Sequence, residues 1–70
     1  MDKKDKDLLR KALRNQRPHE RYNQALSRVV SEEEKGKSGY KKYLELMEEV
    51  RSLARKKDSS IEEAVKEVIK

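Results

Sequence analysis

Arg10, Lys11, Arg14, Arg17 and Arg21, with Arg28 a little further on, crowd one short stretch of the chain. Only one anion, Glu20, stands among the first five. Asn15, Gln16, Asn23 and Gln24 are interleaved with them and add neutral donors and acceptors. Such a cluster can neutralise phosphates by displacing condensed counterions, and arginine can also read the edge of a guanine. The competing interpretation is an ordinary solvated face of a charge-rich protein, since basic patches are common.

Other groups that look chemical fall away on spacing. Gly36-Lys37-Ser38 resembles the end of a phosphate-binding loop, but Ser31 occupies the required upstream glycine position and no strand precedes it. His19-Glu20 opens like H-E-x-x-H, yet Asn23 stands where the second ligand belongs. His19 is the sole histidine and cysteine is absent, so no nucleophile–base–orienter set, thiol chemistry or Cys-ligated zinc can be assembled. Glu32, Glu33 and Glu34 are consecutive and point in different directions on a helix. Gly39-Tyr40-Lys41-Lys42-Tyr43 mixes aromatics with lysines as single-strand binders do. Both tyrosines, however, share the apolar side of their helix, which predicts packing with wet hydroxyls. The expectation is a protein that is not an enzyme and holds neither metal nor cofactor.

The elements that must position the basic cluster follow from periodicity. Tyr40, Tyr43, Leu44, Leu46, Met47, Val50, Leu53 and Ala54 recur at helical intervals over 40–57 and cover roughly half the circumference at about 100° per residue. Lys41, Lys42, Glu45, Glu48 and Glu49 fill the solvated half. Upstream, Leu8, Leu9, Ala12 and Leu13 edge a helix over about 5–16 that ends before the Arg17–Pro18 pair. Pro18 suits the first turn of a second helix, 18–34, carrying Tyr22, Ala25, Leu26, Val29 and Val30. The two apolar edges differ by roughly 110° when carried through Pro18, so two helices are expected, not one kinked helix. Ser31 with Glu34 forms an S-x-x-E box that could start a short new turn, and Gly36 to Gly39 reads as a loop. A second such box, Ser60 with Glu63, caps a last helix over 61–69 with Ile61, Ala64, Val65, Val68 and Ile69 on one face. The fold class is therefore all-α, a compact bundle of four short helices in one domain, with residues 1–5 frayed.

Composition limits what this bundle can be. The chain has 70 residues, 33% apolar, with three Tyr and no Phe or Trp, so its core is thin and self-association or a partner would help hold it. The wide apolar half of the third helix suits a two-fold contact, and a homodimer is one expectation. No apolar run approaches a membrane span and no signal peptide is visible, which predicts a cytoplasmic protein without membrane contact. Net charge is +5, and all of it lies in residues 1–30, which hold nine Lys/Arg against four Asp/Glu; residues 31–70 hold ten of each. The last two helices resemble a helix-turn-helix in spacing, but Glu62, Glu63 and Glu67 would face phosphates with the wrong sign. The leading expectation is a small nucleic-acid-binding protein, for duplex DNA, that uses the arginine-rich face of helices 1 and 2. The rivals are a protein-interaction module and an engineered bundle without native function; the irregular 15–24 corner and the Gly36–Gly39 stretch are less idealised than a designer would choose.

Overall fold

The computed structural model describes residues 2–34 and 37–70, which form four α-helices and no strand: α1 (Lys3–Arg14), α2 (Tyr22–Glu33), α3 (Lys37–Lys57) and α4 (Ile61–Val68). Each helix packs on the next in sequence, and α4 returns to touch α1. The Cα radius of gyration is 11.2 Å, against about 11 Å for a folded chain of this length.

The apolar stripes meet in one core. Leu8, Leu9 and Ala12 come from α1, and Tyr22, Leu26, Val29 and Val30 from α2. Leu46, Met47, Val50 and Ala54 come from α3, and Ala64 and Val65 from α4. Tyr22 is the one aromatic in its centre, and burial pushes its phenol well above the usual tyrosine range. Its hydroxyl stays satisfied by donating to the Leu9 carbonyl oxygen at 2.9 Å, tying the start of α2 to the middle of α1.

Several expected boundaries move, each for a visible reason. α1 begins at Lys3, two residues before the expected start, because its first turn is held from outside. Lys4 pairs with Glu34 at 3.0 Å, and Asp5 pairs with Lys42 of α3 at 2.6 Å. Asp2 takes the N-cap position without a side-chain cap bond. α2 begins at Tyr22, not Pro18, because residues 15–21 make a loop with its own hydrogen bonds, described below. Ser31 starts no new turn; it lies within α2, which runs on through Glu33. Acidic side chains at that end would oppose the helix dipole, but Lys11 takes Glu33 and Lys4 takes Glu34, so α1 supplies the missing cations.

The expected Gly36–Gly39 loop is largely helix. Gly36 lies outside the described residues, whereas Lys37, Ser38 and Gly39 form the first turn of α3. Gly39 is buried, and a Cβ there would fall on the Glu34 carbonyl oxygen. This glycine therefore permits close approach of α3 to the end of α2 and does not break the helix.

The corner between α3 and α4 is a complete Schellman motif. Ser59 N–H donates to the Ala54 carbonyl at 2.9 Å and Asp58 N–H to that of Arg55 at 3.3 Å, with Asp58 left-handed at φ 52°. Ser60 then caps α4, its Oγ accepting from the Glu63 N–H at 3.2 Å. Among the described residues no return bond from the Glu63 carboxylate completes the expected box.

On α3, Leu46, Met47 and Val50 are buried as their spacing predicts, and Tyr43 packs half-buried against the core. Tyr40 and Leu44 do not follow: they are 68% and 47% exposed. The apolar half is wider than the groove between α2 and α4, so its edge stays in water. Lys42, expected in solvent, is instead half-buried through its bond to Asp5, which holds the ammonium above the usual lysine range.

Candidate nucleic-acid interface

The six cations marked by the sequence separate into three kinds once the chain is folded. Arg28 is structural. Its Nη2 donates to the Asn15 carbonyl oxygen at 2.8 Å and to Glu20 Oε1 at 2.9 Å, and its Nε donates to Glu20 Oε2 at 3.2 Å. The fork thus spans the loop from α2 to the open end of α1. Glu20 is the centre of that loop. Its Oε1 also accepts from the Arg17 N–H at 3.3 Å, its own N–H donates to the Arg17 carbonyl at 3.0 Å, and its carbonyl accepts from Gln16 Nε2 at 2.9 Å. Arg28's hydrogen bonds hold the Glu20 carboxyl below the usual carboxylate range. These contacts explain why Pro18 sits in a turn and not in a helix. Arg28, expected on the binding face, is committed in three bonds within the fold and is poorly placed to take a phosphate.

Arg10 and Lys11 are engaged, Lys11 at the surface and Arg10 half-buried. Arg10 pairs with Asp7 at 2.9 Å and donates to the Ile69 carbonyl at 3.2 Å. Lys11 pairs with Glu33, and that bond holds the Glu33 carboxyl low. Both ion pairs are substantially exposed, so solvent screens them and either cation can be drawn away by a stronger anion. The expected surplus over a single nearby anion is therefore smaller in the fold, since Asp7 and Glu33 also approach the cluster.

Arg14, Arg17 and Arg21 are exposed, and none makes an ion pair among the described residues. Arg14 lies in the last turn of α1, Arg17 on the loop and Arg21 at the N-cap of α2. Gln24 accepts from the Arg21 N–H at 3.0 Å, so the arginine's backbone is fixed while its side chain stays exposed. Arg10, Lys11 and Arg14 line one shallow depression with Asp7 and Asn15. Arg21 lines another, beside Asn23, Ser60 and Glu62. The cluster is thus a band bent around the α1–α2 corner, not one flat face.

One cation escapes the sequence reading. Because α1 starts early, Lys3 lies within about 20° of Arg10 and Arg14 on a wheel of 100° per residue, and the three line one side of the helix. The signal was the i, i+7, i+11 spacing, hidden by the assumption that the first residues fray.

The other charged segments are quieter. Glu62, Glu63 and Glu67 of α4 are exposed, and Lys57 pairs with Glu67 at 3.0 Å, holding that carboxyl low. Among the described residues no group of three or more His, Asp or Glu side chains converges to hold a metal ion. No helix among them is long and apolar enough to cross a membrane. No protein-family model, curated protein or solved structure matches the chain.

Proposed function

We propose that this chain is a non-enzymatic nucleic-acid binder that grips the phosphate backbone, of duplex DNA in the first instance, at the α1–α2 corner. The observation carrying this reading is that Arg14 at the end of α1, Arg17 on the loop and Arg21 at the N-cap of α2 stand exposed, with no ion pair among the described residues. Lys3, Arg10 and Lys11 extend the positive band along α1, the last two by exchanging weak surface pairs for phosphate.

Gel-shift titrations against duplex DNA, single-stranded DNA and RNA at several salt concentrations test it. Binding should fall linearly on a log–log plot against salt, with a slope of roughly −0.9 per phosphate neutralised. Arg14→Ala, Arg17→Ala and Arg21→Ala should each flatten that slope by about one unit and weaken all sequences alike. Arg28→Ala should instead lower the melting temperature and leave the slope of the folded fraction unchanged. No binding at low salt, or a slope indifferent to the three arginines, sinks the reading.

One observation favours a second reading, a protein-interaction module. Tyr40 and Leu44 are large, apolar and exposed on the same helix, one turn apart.

A further inference from the structure

Tyr40 and Leu44 lie about 40° apart on the α3 wheel, so they form a short apolar ridge. Two exposed charges, Lys41 and Glu45, flank this ridge on one side and are themselves one turn apart. Neither makes an ion pair among the described residues. The order along the helix is Tyr, Lys, then Leu, Glu: an apolar residue and a cation at one level, an apolar residue and an anion at the next.

That arrangement is complementary to its own reverse. A two-fold axis between the two levels turns a second α3 antiparallel to the first. Tyr40 of one copy then lies on Leu44 of the other, and the reverse. The same operation keeps the flank on the same side, so Lys41 meets Glu45 of the other copy, twice. A parallel two-fold would instead carry the charged flank to the opposite side of the contact, so Lys41 and Glu45 would meet neither each other nor their own copies. Glu48 stands exposed on the same side of α3, so the ridge is a poor surface for phosphates.

We infer that a second copy of this chain docks on the Tyr40–Leu44 ridge, antiparallel about a two-fold axis, with Lys41 and Glu45 setting the register. Four apolar side chains leave water at the centre and two ion pairs form at the rim. The inference is independent of the nucleic-acid proposal, because it uses none of the arginines of the α1–α2 corner.

Sedimentation equilibrium of the intact chain from micromolar to millimolar concentration tests it, with circular dichroism confirming that each variant folds. The parent should rise from monomer to dimer mass, and Leu44→Ser, at an exposed position, should remain a folded monomer. K41E places acid on both levels and E45K places base on both, so each alone should dimerise at least about tenfold more weakly. An equimolar mixture of K41E and E45K should recover the dimer, because each chain then faces its complement. A charge effect confined to one helix cannot produce that recovery. A parent that stays monomeric throughout overturns the proposal, as does a Leu44→Ser chain that still dimerises or a mixture no heavier than its components.

Discussion

Gly39 and Asp58 show how a single backbone position can oppose the usual ranking of residues. Gly39 lies inside a helix, where alanine is ordinarily better by about 1 kcal/mol. Its missing Cβ, however, is the space taken by the Glu34 carbonyl oxygen, and the Ser31 Cα lies 3.7 Å away. Both neighbours are backbone, so neither can swing aside as a side chain would. Gly39→Ala is therefore expected to lower the melting temperature, and an unchanged or raised value would show that the α2–α3 corner yields. Asp58 presents the opposite case. It holds φ 52° at the end of α3, a conformation that costs an L-residue about 1–2 kcal/mol, and its charge faces the negative end of the helix dipole. Asp58→Gly should stabilise the protein by about 1 kcal/mol, read as a higher denaturant midpoint at constant m value.

At the scale of elements, the helices differ in what keeps them formed. α3 is 21 residues long and contributes Leu46, Met47, Val50 and Ala54 to the core, so packing maintains it along its length. α4 has eight residues and buries only Ala64 and Val65 fully, too short a helix to persist alone. The Ser60 cap at its start satisfies one of the open N–H groups and is worth about 1 kcal/mol. Ser60→Ala should accelerate amide exchange across residues 61–68 before it changes α2 or α3. Uniform loss of protection would mean that α4 opens only with the whole bundle.

For the molecule as a whole, charge decides how stability responds to pH. Glu20 is held below its ordinary pKa by Arg28, as Glu33 is by Lys11 and Glu67 by Lys57. Each folded carboxylate binds its proton less readily than the unfolded one. Their stabilisation is complete above the unfolded glutamate pKa and is lost as pH falls through the lowered folded values. The melting temperature should therefore drop on acidification through and below the usual carboxylate range. Glu20→Gln should lower the neutral-pH melting temperature and make the acid decline shallower. An acid limb of unchanged steepness would place the loss in other carboxylates.

The number of helices, their order and most of their inward faces were legible in the sequence. Leu9, Leu26, Leu46, Val50 and Val65 are spaced for burial, and a residue with no polar group gains by leaving water whatever its neighbours are. Local chemistry was legible on the same terms: the Ser60 cap needs only a hydroxyl and an open N–H three residues on. Folding alone decided the partners of the charges. Lys4 meets Glu34, Lys11 meets Glu33 and Lys42 meets Asp5 across helix–helix contacts, so the start of α1 and the exposure of Lys42 could not be read from local spacing. Arg28 has the composition of a binding residue and the position of a structural one, because its partner, the Glu20 carboxylate, lies across a loop whose path no periodicity describes. Tyr40 and Leu44 likewise obey the apolar spacing of α3 and remain in water, since the width of an apolar stripe is a property of one helix and the width of the groove is set by its neighbours.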